Sequence, residues 1–383
     1  MARIVIGTYL IRFPVGGYFS WMLQWLVGFR ALGHEAYLVE KSGWPDSCYD
    51  PLRDAMGDDC SYGTRALHHF LARFGLQDRW CFVDAEGHYH GLSRPQVREL
   101  FRTADLFVDM GMQEWRAEAA QTGKRVLVDG EPGFTQMKWA SRLAAGKPLP
   151  QYDFYFTVGM NVGRPGCAVP TAGKPWRGIH DPVCVELFPS RPAPADAPFT
   201  TVTSWQAHDT IEFEGRTFGQ KDTEFAKFLD LPRRTVAPLE LALGGRGSEH
   251  APTERLRQCG WRVRNALDAT VTFDAFRDYL VASRGEFAVC KNVFVATRCG
   301  CFSERSAAYL ASGRPVVMQD TGFSDHLPCG QGLFAVRTVE EAAAALDAIQ
   351  GAYECHSRAA REVAQECLDA AKVLKKFLNE VGL

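Results

Sequence analysis

The stretch SRGEFAVCKNVFVATRCGCFSERSAAYLASGRPVVMQDTGFSDHLP, Ser283 to Pro328, decides how the chain is read. It opens with small and polar residues and crosses the loop TRCGC, and a helix is predicted from about Ser303 to Ser312. Ser303 suits an N-cap, because its hydroxyl can accept an N–H that the first turn leaves unpaired. Ala307, Ala308, Leu310 and Ala311 give a small apolar face, and Gly313 supplies the stop. Arg314-Pro315 leads into Val316-Val317-Met318, a short buried strand that ends in Gln319-Asp320-Thr321-Gly322. A polar loop, a helix N-terminus and a strand C-terminus thus come together. The free N–H groups and positive dipole end at Ser303–Ser306 suit a diphosphate, with Arg305, Lys291 and Arg298 adding charge. Arg305 is read as the main cation; the plainer alternative pairs it with Glu304 or another surface acid. Gln319, Asp320 and Thr321 then fall where sugar hydroxyls need partners.

Toward the N-terminus, Arg3–Thr8 reads as a buried parallel strand, followed by the loop YLIRFPVGG. Helical spacing runs from Tyr18 to Leu32 through Phe19, Met22, Leu23, Leu26, Val27 and Phe29, and Glu35–Glu40 is a second strand. This βαβ unit puts its first loop at the strands' C-terminal edge, where open α/β sheets carry their sites. Gly16-Gly17 either lets backbone approach a phosphate or acceptor, or is a simple turn. The dinucleotide fingerprint G-x-G-x-x-G is absent, which argues against a dehydrogenase. Further strands are predicted at Trp80–Val83, Leu106–Asp109, Arg125–Val128 and Tyr152–Val158. The loops DMG and DGEPGFTQ make Asp109, Asp129 and Glu131 the candidates for a catalytic base; the alternative for each is to cap a helix or hold a turn.

Seven prolines between Ala168 and Phe199 mark a linker, with the boundary near 183–197. A second alternation begins at Phe199–Trp205, and its loop carries Lys221 and Asp222 ahead of a helix through Phe225, Phe228 and Leu229. Leu239–Gly245 is strand then glycine turn. Thr338 caps an Ala-rich helix to about Gly351, and a final helix is expected from about His356 to Glu380.

The run Phe302 to Phe323 resembles bacterial glycosyltransferases carrying F-S-[DE]-R-S-x-x-Y-L-A-x-G-R-P-V-V-x-Q-D-T-G-F. P-x-G-G before a helix and L-G-H-x-x-x-x-V-E resemble the start of the same group. The resemblance implies the α/β GT-B architecture, two Rossmann-like domains facing across a cleft. Residues 1–182 would bind the acceptor and 183–355 the nucleotide sugar, and 356–383 would form a helix crossing back to the first domain. It also implies that a helix end and cationic side chains neutralise the leaving diphosphate, with no metal, and no D-x-D motif is present. The co-substrate expected is a nucleotide diphosphate sugar, UDP- or dTDP-linked, with no other cofactor. One departure concerns the E-x7-E pair of many retaining families: counting back from Gly313 puts Gly300 and Ala308 there, so that mechanism does not carry over. Two rivals share the architecture, a nucleotide-sugar 2-epimerase and a non-catalytic nucleotide-sugar-binding paralogue.

Composition narrows the classes further. The 383 residues suit two domains of ordinary size. With 46% hydrophobic and 23% charged residues, the chain falls among soluble globular proteins. A net charge of −2 gives no bulk attraction to nucleic acid or an anionic membrane. No apolar run reaches the roughly 18 residues of a membrane-spanning helix. Twelve scattered cysteines and an N-terminal apolar run broken by Arg12 point to reduced thiols in the cytoplasm. Cys299 and Cys301 form C-x-C without a second pair at zinc-site spacing, so no metal site is read there. Sugar, acceptor, stereochemical outcome and oligomeric state stay open at this stage.

Overall fold

Nearly unbroken apolar runs fill the strands Arg3–Gly7, Leu106–Asp109 and Lys124–Asp129, the pattern of strands covered on both faces. In the computed structural model, which describes residues 1–111 and 115–383, they lie at the centre of an eight-stranded sheet. Its order is Trp176–Gly178, Phe154–Thr157, Lys124–Asp129, Leu106–Asp109, Arg3–Gly7, Glu35–Lys41, Trp80–Val83 and Tyr89–Gly91. All pairings are parallel except the last, where Tyr89–Gly91 turns back on Trp80–Val83. The register sets Ile4 between Ala36 and Leu106, so the chain leaves Arg3–Gly7 at the point where strand order reverses. Such a switch point opens a crevice at the strands' C-terminal ends.

A second sheet has six strands, all parallel, in the order Arg262–Asn265, Leu239–Leu243, Phe199–Thr203, Gly285–Ala288, Val316–Gln319 and Leu333–Val336. Phe199–Thr203 lies between Leu239–Leu243 and Gly285–Ala288, which makes a second switch point.

The helix Gly16–Ala31 is buried along most of its length because other elements cover it on several sides. Gly28 allows one of them close: a Cβ there would stand 2.5 Å from Leu374 Cδ1. Phe377 completes that contact, its ring 5.5 Å from Trp25 and 4.9 Å from Phe156. The single terminal helix expected from about His356 is instead two pieces. Tyr353–Val363 widens into a π turn at Ala364–Leu368, and Ala370–Glu380 starts afresh. Asp369 makes the break, its Oδ1 accepting from the N–H groups of Ala371 and Lys372 at 3.0 and 3.3 Å. Val183 lies alongside, donating to Leu368 O at 2.8 Å and accepting from Ala370 N at 2.9 Å. The two stretches that run between the sheets are thereby tied to each other. Arg314 secures the linker from the other end: fully buried, it donates through Nη2 to Arg191 O at 2.9 Å and to Val281 O at 2.5 Å.

Among the described residues, no helix is long and apolar enough to cross a membrane.

Candidate active site in the cleft

The C-terminal edges of both sheets face one cleft of about 1770 Å³. From the first sheet's side it is walled by Tyr9, Arg12, Phe13, Tyr18, Trp21 and Trp44, and from the second by Thr203, Lys221, Lys291, Ser303, Glu304 and Arg305. One wall is aromatic and the other cationic.

The aromatic wall grows from the loop after Arg3–Gly7. Tyr9 meets Tyr18 at 5.4 Å and Trp21 at 5.8 Å, and Phe13 stacks on Tyr18 at 5.5 Å. Buried Glu40 pins this loop, accepting from the backbone N–H groups of Ile11 and Arg12 at 2.7 and 3.0 Å and from Arg12 Nε at 3.2 Å. Burial pushes the Glu40 carboxyl up to about 7, against the pull of Arg12 and the two amides. Trp44, more than half exposed, lies against the Arg12 guanidinium at 4.8 Å.

Three cations from different loops meet on the opposite wall. Lys221 opens the short helix Lys221–Phe225 and donates to Thr203 Oγ1 at 3.0 Å. No carboxylate lies within 4 Å of its Nζ among the described residues. Burial pulls the Lys221 amine down to about 7, and repulsion from Arg305 and Lys291 adds to the fall. Glu224 sets the helix in place: buried, it accepts from Asn292 Nδ2 at 2.7 Å, from Lys227 Nζ at 2.7 Å and from Gln319 Nε2. Lys291 bridges to the other half, both Glu131 oxygens lying 2.5 Å from its Nζ. Arg305 rises from the helix Glu304–Ala311, which Ser303 caps by accepting from Arg305 N at 3.3 Å.

The simple reading of Arg305 needs correcting. Its Nε is held at 2.5 Å by Glu286, a fully buried acid in Gly285–Ala288 and not a surface one. The pair raises the guanidinium pKa although burial opposes it. Removing Arg305 would strand a buried charge, so its loss acts on the fold as well as on any ligand.

The other expected donor-site residues divide sharply. Lys291, Ser303 and Arg305 line the cleft, as does Gly17, whose Cβ position is open. Gly16 does not: a Cβ there would stand 2.3 Å from Thr272 O, so it seats the helix start against the second half. Ser306 is buried, with Oγ turned to Met318 Sδ at 3.7 Å. Gln319 accepts from Cys290 N at 3.2 Å and donates to Glu224. Asp320 accepts from Gly322 N at 2.8 Å and from Arg337 Nη2 at 2.8 Å, and Thr321 donates to Cys301 O at 2.6 Å. All three are buried away from the cleft, because the end of Val316–Gln319 packs inside its own sheet. Arg298, in a left-handed turn at φ 50°, reaches Asp325 at 3.4 Å and Asp320 at 3.8 Å, outside the cleft.

The three expected acids also separate. Asp109 is buried, accepting from Tyr152 OH at 2.6 Å and Gly111 N at 3.2 Å. Asp129 is buried as well and accepts four hydrogen bonds: from Glu131 N at 3.0 Å, Thr135 Oγ1 at 2.6 Å, Gln136 Nε2 at 2.7 Å and Thr157 Oγ1 at 2.8 Å. Neither lines the cleft, and both act as turn-holders. Only Glu131 faces it. Burial would raise the Glu131 carboxyl, but Lys291, and His208 at 3.3 Å, hold it down at about 2. A carboxylate so firmly ionised is a weak proton acceptor at neutral pH.

The glycosyltransferase departure at Gly300 and Ala308 has a steric basis. Gly300 sits at φ 81°, and a Cβ there would lie 2.9 Å from Asn161 N, while Ala308 is buried in the helix packing. Neither position admits a glutamate without rearrangement.

Sequence reasoning passed over Lys221 as a site residue, and Asp181, which lines the cleft and accepts from Trp21 Nε1 at 2.7 Å. Asp181 lies in the proline-rich stretch read as linker; the ionisable pair His180-Asp181 between apolar residues was the available signal. Asp84, Glu86 and His88 bring ligand atoms within 4.8 Å of one another at the rim, but Asp84 Oδ1 already accepts from the Glu86 and His88 amides.

No family model matches the chain, and no curated protein matches it. Solved structures do. AviGT4, a glycosyltransferase involved in avilamycin A biosynthesis, matches at 12% identity and TM-score 0.53, over 99% of this chain and 97% of its own. An alpha-glucosyltransferase in complex with UDP and a mismatch-containing 13-mer DNA matches at 10% identity and TM-score 0.58, over 100% and 99%. HepE from Anabaena, in complex with UDP and glucose, matches at 12% identity and TM-score 0.54, over 100% and 99%. The likeness is one of fold, and it spans the whole chain: these two facing α/β units are the GT-B fold.

Proposed function

We propose that the protein transfers a sugar from a nucleotide diphosphate sugar, with uridine diphosphate as leaving group, to a hydroxyl of an acceptor held against the aromatic wall. The observation that carries this reading is the convergence of Lys221, Lys291 and Arg305 on the cleft beside the capped start of Glu304–Ala311. Three cations and a helix N-terminus meet the charge that grows on a departing diphosphate, a kind of stabilisation worth several kcal/mol. Fold neighbours solved with UDP support uridine as the base. The three cations and the helix end do the neutralising in this reading, which calls on no divalent metal. Twelve unpaired cysteines fit a reducing compartment such as the cytoplasm.

Calorimetry with UDP tests the donor site. We expect UDP to bind and to raise the melting temperature, by about 2.7 kcal/mol of stability at 100 times its Kd. Lys221→Met should weaken UDP binding by about 10- to 10²-fold, the worth of a hydrogen bond to a charged group, and leave the fold intact, since Lys221 has no ion-pair partner to strand among the described residues. EDTA should change neither result. Absence of UDP binding by the wild type would remove the reading. UDP-glucose incubated alone should keep its C2 configuration; appearance of the 2-epimer would replace transfer with epimerisation.

A further inference from the structure

Glycosyl transfer to a hydroxyl releases a proton, and the acids first suggested by the sequence are poorly placed to take it. Asp109 and Asp129 are buried outside the cleft, and Glu131 is locked to Lys291 and His208. Asp181 meets the requirements they fail. It lines the cleft between the halves, on the segment that runs from one sheet to the other, and is 5% exposed. Trp21 Nε1 donates to its Oδ1 at 2.7 Å, the carboxyl's single hydrogen bond among the described residues. Trp21 is itself fixed: Tyr9 packs on its ring, and a Cβ on Gly130 would stand 3.0 Å from it. One oxygen is therefore oriented by a rigid indole while the other has no hydrogen-bond partner among the described residues.

We infer that Asp181 is the base that receives the acceptor's hydroxyl proton, with Trp21 as its positioning residue. This rests on the transferase reading above. As the acceptor oxygen bonds to the anomeric carbon, its proton passes to Asp181. The bond from that carbon to the diphosphate oxygen breaks, and its electron pair leaves on the diphosphate, against Lys221, Lys291 and Arg305. Burial, with a smaller push from the Glu304 carboxylate, raises the Asp181 carboxyl to about 8, which makes its ionised form a far stronger proton acceptor than Glu131.

The test uses UDP-glucose with water as acceptor and reads UDP release. Asp181→Asn should lower release about 10²–10⁴-fold, with UDP affinity within about twofold of the wild type because Asp181 does not touch the diphosphate cations. Unchanged release would overturn the assignment. Where the wild type releases no UDP, carbodiimide labelling at pH 7 decides. A protonated Asp181 should be coupled to an added amine, as mapped by mass spectrometry, and UDP-glucose should protect it while UDP alone does not. An unlabelled Asp181, or equal protection by both ligands, would overturn it. Failure of UDP itself to bind sinks the transferase reading and this one together, whereas UDP binding with an indifferent Asp181→Asn sinks this one alone.

Discussion

Lys291 cannot serve a diphosphate and Glu131 at once. In the free protein its ammonium has both Glu131 oxygens at 2.5 Å, across the cleft and partly shielded from water. On the proposed function an incoming diphosphate would have to displace that carboxylate, so Glu131→Gln should tighten UDP binding, by on the order of tenfold (about 1.4 kcal/mol). Lys291→Ala should weaken it, and calorimetry on the two variants reads both signs; looser binding in Glu131→Gln would show that the carboxylate helps hold the donor. Lys221 makes a different prediction, one about protons. Its folded pKa is lowered from 10.5 to about 7, chiefly by burial. Between those values the unfolded chain binds a proton that the folded one does not, so Lys221 makes stability rise with pH across that window. A diphosphate bound there would reverse the shift by favouring the charged amine. UDP binding at pH 8 should therefore take up a proton, and affinity should fall as pH climbs above 7. Titration in buffers of different ionisation enthalpy measures the uptake, and Lys221→Met should abolish it.

At the scale of elements, the start of Gly16–Ala31 shows how two neighbouring glycines take different work. Gly16 lies where a Cβ would strike Thr272 O at 2.3 Å and Phe276 Cβ at 2.6 Å, while nothing stands within 4 Å of a Cβ on Gly17. Backbone cannot yield as a side-chain tip does, so Gly16→Ala should cost about 1–3 kcal/mol, read as a lower melting temperature. Gly17→Ala should leave stability nearly unchanged and affect ligand binding alone; equal melting losses would place both in packing. This division was invisible in the sequence, where the pair reads only as a turn or a phosphate approach. What was legible rests on local rules. The Ser303 cap, the Gly313 stop at φ 66° and the buried strand after Arg314-Pro315 follow from neighbours in sequence, and they are found. The hairpin Ile211–Phe213 with Arg216–Phe218 was missed, although Glu214-Gly215, both at positive φ, carry a turn signal. Side-chain direction at Gln319–Thr321 was not legible, because Glu224, which holds Gln319, lies 95 residues away. The partner of Arg305 was not legible for the same reason: Glu286 sits on a neighbouring strand and not on the helix of Arg305.

Across the whole molecule, one apolar core joins what sequence reading treats as separate domains. Trp25, Phe29 and Phe156 of the first half, Phe273, Tyr309 and Phe323 of the second, and Leu374 and Phe377 of the terminal helix belong to a single buried cluster. A further cluster, built on Phe199, Phe228 and Phe287, lies within the second half alone. Each half thus has a private core, the first around Val5, Phe101 and Phe107 and the second around Phe199 and Phe228, besides the shared core along the crossings. Val183 and Asp369 reinforce the shared core where the two crossings meet in an isolated backbone bridge. Domains with separate cores unfold in separate steps, whereas a shared one couples them. Phe377 sits at its heart, 1% exposed and in ring contact with Trp25, Phe29 and Phe156. Phe377→Ala should cost about 3–5 kcal/mol, although the residue is more than two hundred positions from any strand of the first sheet save Trp176–Gly178 and lies outside the cleft. Differential scanning calorimetry should give one cooperative transition for the wild type, moved to lower temperature as a whole in the variant. If the variant instead split the transition, with a second-half step left at the wild-type temperature, the terminal helix would belong to the first half alone, and the crossings would be a hinge rather than a shared core.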